Sequence, residues 1–86
     1  MKINVPHTKD HFALATARRA AAEYRARGEH EHGVVLIWGG EPYGWKNTLR
    51  DPGHERPGVL AVDEDGQVYR AEGGDDWNGA RAWVVA

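Results

Sequence analysis

Residues 9–27 run without a glycine or a proline and stop at Gly28. That stretch commits the chain to one long helix. Alanine and arginine dominate it, both strong helix formers, and glycine is the usual residue just past a helix end. Ala13, Leu14, Ala17, Ala20, Ala21 and Tyr24 recur at helical spacing and make one stripe. Because the stripe is mostly alanine, the helix can lie close against a flat partner such as a sheet. Arg18, Arg19, Arg25 and Arg27 fall off the stripe and read as a solvated face. Thr8 suits an N-cap and Asp10 the first turn. Pro6 disfavours helix through Val5, so Ile3-Asn4-Val5 reads as a short extended lead-in.

Everything after Gly28 is short and punctuated by glycine and proline. Gly33-Val-Val-Leu-Ile-Trp38 is a β-branched apolar run without alternation, which predicts a central strand covered on both faces, or a strand under the helix. Gly39-Gly40 is compatible with a tight hairpin turn. Tyr43-Gly44-Trp45-Lys46 follows as the return strand, with Gly44 allowing close approach. Residues 50–58 form a loop too long for a tight turn, expected to cross one end of the sheet, with Asp51 and Arg56 as a pair that holds it shut. Residues 59–63 and 67–72 are two strands around Glu64-Asp65-Gly66, a strong hairpin signal. Leu60, Val62 and Val68 are assigned to the core face and Tyr69 to the opposite one. Gly73–Gly79 is a second loop, and Ala82–Val85 a last strand. The expected fold class is α+β, one N-terminal helix packed on an antiparallel sheet of four to five strands. At 86 residues the chain forms a single domain over 1–86.

Composition narrows the chemistry. Cysteine is absent, which rules out disulfides, thiol chemistry and Cys-based zinc sites. Apolar runs fall far short of the ~20 residues that span a bilayer, and the N-terminus lacks the apolar stretch of a signal peptide. No membrane association and a cytoplasmic location are the expectation. Serine is also absent, and Thr8 and Thr48 have no visible base partner. There is no phosphate-cradling glycine motif. No catalytic residue, no metal and no cofactor are assigned, and the chain is not expected to be an enzyme. His7 and His11, and the histidines of Gly28-Glu-His-Glu-His32, read as solvated side chains, since no third ligand has a convincing position.

Charge is split along the chain. Residues 1–50 hold eight Lys and Arg against five Asp and Glu, whereas residues 51–86 hold three against eight. The acids Asp63, Glu64, Asp65, Glu72, Asp75 and Asp76 flank the 67–72 strand at its two ends and are expected to form two clusters. Turns attract Asp and Gly for backbone reasons alone. Nucleic-acid binding would use Arg18, Arg25, Lys46 and Arg50, with Trp38, Tyr43 and Trp45 as stacking platforms. A pI near 6.2 argues against direct nucleic-acid binding, and Trp38 and Trp83 are expected in the core.

What remains is a protein-binding module. Rigid acidic turns can occupy a groove built for phosphate, because carboxylates offer the same charge to its Arg and Lys. The ordered series Gly33-Val34-Val35, Gly44-Trp45, Leu49-Arg50-Asp51-Pro52, Arg56-Pro57-Gly58, Ala61-Val62-Asp63, Gly73-Gly74 and Asn78-Gly79-Ala80 resembles small antirestriction proteins of the ArdR type, from proteobacterial mobile elements. The likeness covers residues 33–83. It implies a non-enzymatic anti-defence role, in which the chain binds and inhibits a host restriction or CRISPR nuclease or another protein of a defence complex. The candidate partner contacts are Glu64, Asp65, Asp75 and Asp76, with Trp77 as an apolar anchor. The alternatives are the arginine-helix nucleic-acid accessory protein and a regulatory protein-interaction domain. A homodimer through an exposed sheet face or edge stays open.

Overall fold

The alanine stripe meets a sheet. In the computed structural model, described over residues 5–28 and 32–86 with side chains from Phe12 onward, helix α1 spans Val5–Ala26. The helix starts before the expected Thr8 cap, so Thr8 lies within it and Val5 is helical rather than extended. Pro6 falls in the first turn, where backbone amides have no intrahelical acceptor and a missing N–H removes no bond. The Ile3-Asn4 lead-in, the side chains of His7 and His11 and residues 29–31 of the histidine loop lie outside the described residues. At the other end the Gly28 amide donates to the Arg25 carbonyl at 3.0 Å, with Gly28 at φ 103°.

Five antiparallel strands follow: β1 (Val34–Trp38), β2 (Glu41–Lys46), β3 (Leu60–Val62), β4 (Val68–Glu72) and β5 (Ala82–Val85). Their order across the sheet is β2-β1-β3-β4-β5. The expected α+β architecture, one N-terminal helix on an antiparallel sheet, is the one observed, with five strands. Trp38 pairs with Glu41, so Gly39 and Gly40 are the two central residues of a tight turn. Both have positive φ, at 61° and 81°, the backbone that matches the twist of a two-residue hairpin. β2 starts two residues before the expected return strand and includes Pro42. It lies at the sheet edge, where a missing donor is tolerated. A register shift between Leu36 and Ile37 leaves Tyr43 as the extra residue of a bulge. The close approach expected at Gly44 occurs instead at Gly33. A Cβ on Gly44 would meet only Leu36 at 3.5 Å, whereas one on Gly33 would overlap the Lys46 carbonyl and meet the Trp45 ring at 2.8 Å.

Strand alternation divides the core in two. Val35, Ile37, Val62 and Val68 face α1 and pack on Ala17, Ala20 and Ala21, with Leu14, Tyr24, Trp45 and Leu60 at the margin. Ala13 belongs to the stripe by spacing but is exposed. Val34, Leu36 and Ala61 face the other way, together with Leu49, Tyr69 and Trp83. Leu60, Val62, Val68 and Tyr69 thus take the faces that their alternation predicts, and β1 is buried on both faces.

The second face is covered by the segment after β2, which includes a short 3-10 turn at Pro52–His54. It packs on the face of the sheet rather than crossing one end. Leu49 supplies its apolar contact, Trp83 Nε1 donates to the Arg50 carbonyl at 3.1 Å, and the Ala80 amide donates to the Glu55 carbonyl at 2.8 Å. The expected Asp51–Arg56 pair does not form. Asp51 sits in left-handed backbone at φ 50° and pairs with its neighbour Arg50 at 2.7 Å, while Arg56 reaches Asp76 at 3.0 Å. The Arg50 bond holds the Asp51 carboxyl below the usual aspartate range. No helix among the described residues is long and apolar enough to cross a membrane.

Candidate protein-binding face

Antiparallel pairing brings the end of β1, the start of β2, the end of β4 and the start of β5 to one end of the sheet. Trp38, Glu41 and the 73–79 loop therefore share that end. The opposite end carries Gly33, the 63–67 turn and residues 47–49. This division decides which sequence-predicted residues can act together.

Trp77 is the most exposed large apolar side chain described, at 94%. Its loop is built rather than slack. Asp75 and Gly79 form a bridge, with the Gly79 amide donating to the Asp75 carbonyl at 2.9 Å. The Asp75 carboxylate accepts from the amides of Trp77 at 3.0 Å and Asn78 at 2.7 Å. These bonds, the Asn78 amide first, hold the Asp75 carboxyl below its ordinary value. A depressed acid stabilises the structure above its unfolded pKa, and that contribution is lost as pH falls through the folded value. The loop is therefore expected to loosen below about pH 3.9. Amide exchange at Trp77 and Asn78 accelerates there before the sheet amides do; simultaneous loss would refute a local Asp75 latch.

Beside this loop lies a concave site of about 330 Å³ lined by Trp38, Glu41, Tyr43, His54, Glu55, Arg56 and Val59. Arg56 connects the two features. Its guanidinium lies over the Trp38 ring, 4.3 Å from the centroid, and pairs with Asp76 at 3.0 Å. Trp38 is 42% exposed and Tyr43 50%, so Trp38 is a surface residue and not part of the core as expected. It is the last residue of its apolar run, next to the turn, where cover from both layers ends. Tyr43 donates to one Glu55 oxygen, and Lys46 Nζ lies 3.1 Å from the other. The Lys46 and Glu55 side chains are only 10% and 8% exposed. Burial first, then the hydrogen bond to Glu55, pushes the Tyr43 phenol well above its usual pKa.

The four acids singled out from sequence separate into two pairs. Glu64 and Asp65 lie at one end of β4 and Asp75 and Asp76 at the other, about 17 Å apart by strand length. Three of the four are engaged within the chain. Glu64 accepts from the Gly33 amide at 2.9 Å and meets His32 at 3.2 Å. The Gly33 bond is the larger cause of its lowered pKa. Asp75 holds its own loop and Asp76 holds Arg56. Asp63 likewise closes the hairpin turn, accepting from the Asp65 and Gln67 amides at 2.9 Å.

The basic residues of the nucleic-acid alternative are also engaged. Arg18 donates to the Gly66 carbonyl at 2.7 Å. Arg25 donates to the carbonyls of Gly33 and Val62 at 3.0 and 2.9 Å, tying α1 to the sheet. Lys46 is the buried partner of Glu55 and also donates to the Arg50 carbonyl at 3.0 Å. Arg50 binds Asp51 and Asn47. Sequence reasoning missed the Lys46–Glu55–Tyr43 group and the Arg56–Trp38 stack. Glu55 and Arg56 come to these groups from the covering segment, and no spacing rule joins them to β2 or to Trp38.

No family model matches this sequence, and no curated protein or solved structure matches it either.

Proposed function

We propose that this chain is a non-enzymatic protein-binding module that engages its partner through the end of the sheet bearing Trp77, Asp76, Arg56 and Trp38. The observation that carries the reading is a tryptophan exposed at 94% on a loop fixed by its own hydrogen bonds. Exposing a ring of this size has no use in the isolated fold. Seated in a partner's pocket, such anchors commonly contribute about 2–4 kcal/mol of binding. Preorganisation of the loop lowers the entropic cost of docking. Binding rather than catalysis is supported by the buried carboxylate at the site, since Glu55 is held between Tyr43 and Lys46.

In its more specific form, the partner is a host restriction or CRISPR nuclease and the module is an anti-defence inhibitor. The residue series of the resemblance supports that form, and Asp76 beside Trp77 supplies acid to meet a basic groove. Glu64 and Asp65, at the far end, are not needed for this contact.

The test is transformation of cells carrying a restriction or CRISPR system with unprotected plasmid. Expression of the chain is expected to raise transformation severalfold. Trp77→Ala should abolish protection while changing unfolding free energy by less than about 0.5 kcal/mol. Equal protection by Trp77→Ala would sink the contact assignment. Titration of labelled single- and double-stranded DNA with the purified chain, at low and physiological salt, is the companion measurement. Salt-sensitive DNA binding would overturn the protein-binding reading in favour of a nucleic-acid face.

A further inference from the structure

We infer that the site between Trp38, Tyr43 and Glu41 is a receptor for a basic side chain, arginine above all, supplied by the protein partner. That the guest belongs to a partner rests on the protein-binding reading; the chemistry of the receptor rests on the pocket itself.

Three observations lead there. At about 330 Å³ the site is at the small end of ligand pockets, large enough for a guanidinium, its methylene stem and part of the adjoining backbone. Its apolar walls are two half-exposed aromatic rings and Val59, and Glu41, His54, Glu55 and Arg56 complete the lining. Such walls suit an amphipathic stem, and the ring faces attract a cation. Trp38 already accepts a guanidinium, that of Arg56, at 4.3 Å.

Charge decides the sign of the guest. Arg56 is matched by Asp76 at 3.0 Å and Glu55 by Lys46 at 3.1 Å. Glu41 is exposed at the start of β2, and its carboxylate has no hydrogen-bond or ion-pair partner among the described residues. Tyr43 and His54, the other titratable side chains of the wall, add nothing to the formal charge, in which histidine is counted neutral. The lining residues and their ion-pair partners thus carry one net negative charge, and its source is the unmatched Glu41. An acidic guest would have to share Arg56 with Asp76 and approach Glu41. A basic guest meets Glu41 directly and leaves both existing pairs intact.

The experiment is a titration of isotope-labelled protein with capped Gly-X-Gly tripeptides, X being arginine, lysine, citrulline or glutamate. The readout is the resonances of Trp38, Glu41 and Tyr43. The arginine peptide is expected to saturate with a Kd of about 1–10 mM, lysine more weakly, and citrulline and glutamate about tenfold more weakly or not at all. Glu41→Gln should weaken the arginine peptide about fivefold or more, whereas Asp65→Asn, the same loss of charge at the far end of the sheet, should leave it unchanged. Glu41 is exposed, so that variant folds. Citrulline binding as tightly as arginine, preference for glutamate, or no saturable shift would each overturn the proposal. Stronger shifts with a short single-stranded oligonucleotide than with arginine would do the same, making the pocket a base-stacking site. Failure of the tripeptides beside Trp77-dependent protection removes the pocket proposal alone. Arginine binding without Trp77-dependent protection removes the partner reading and leaves the receptor standing.

Discussion

Replacing Glu55 with glutamine lowers the unfolding free energy by about 3 kcal/mol, because it leaves the Lys46 ammonium buried without its counter-charge. The pair is 3.1 Å apart, with side chains 10% and 8% exposed, and Tyr43 donates to the second Glu55 oxygen. Solvent screening does little for groups so covered. The same contacts fasten the covering segment to edge strand β2, so the loss falls on the second face of the core. Urea unfolding followed by tryptophan fluorescence measures it. A loss below about 1 kcal/mol would mean that the Arg50 and Asp51 carbonyls, which Lys46 already reaches at 3.0 and 3.2 Å, suffice for it once Glu55 is neutral. The apolar triple variant Tyr43→Phe, Lys46→Met, Glu55→Leu should recover much of the loss. Removing a buried pair entire costs less than breaking it, and the difference separates a broken pair from a simple packing defect.

Gly79→Ala is expected to cost about 3 kcal/mol or more, against about 1 kcal/mol for Gly66→Ala. Both glycines have φ +85°, where an L side chain costs about 1–2 kcal/mol. The surroundings make the difference. At Gly66 an added Cβ meets nothing within 4 Å, whereas at Gly79 it would overlap the Gly53 carbonyl oxygen and lie 2.6 and 2.9 Å from Gly53 backbone carbons. No flexible side chain stands there to yield, so the 3-10 turn or the 73–79 loop must shift. Thermal or urea unfolding of the two variants side by side checks the contrast. Equal losses would show that the contact between the loop and the turn is soft. Gly79→Ala should also impair any Trp77-dependent protection, since Asp75 and Gly79 frame the tryptophan, while Gly66→Ala at the far end should not.

These effects show where sequence reading reached and where it stopped. Ala17, Ala20 and Ala21 were legible as the face of α1 because helical spacing alone puts them there. Gly39-Gly40 was legible because a two-residue hairpin turn of the I′ kind requires positive φ at both positions. Val62 and Val68 took their face from strand alternation. Thr8 failed as the cap because proline is tolerated in a first turn, which let the helix start earlier. The Asp51–Arg56 pair failed because a long loop sets no register between its own charges. Asp51 met the nearer Arg50, and Arg56 met an acid from another loop.

The site divides in the same way. The loop that carries Trp77 was legible from its glycines and aspartates. The exposure of Trp38 was not, since an apolar run gives no sign of which end leaves the cover of both layers. The acidic turns were visible as composition, but their function was not. Asp63, Glu64 and Asp75 accept backbone amides, a role set by local geometry that charge counting overlooks. Local preferences act over a few residues, and they determined the helix stripe, the hairpin turns and the α+β class of this chain. Contacts between Glu55 and Lys46, Arg56 and Trp38, or Gly79 and Gly53 join segments distant along the chain. Only the packing of the covering segment on the sheet brings them within reach, so only the tertiary structure could assemble the proposed face.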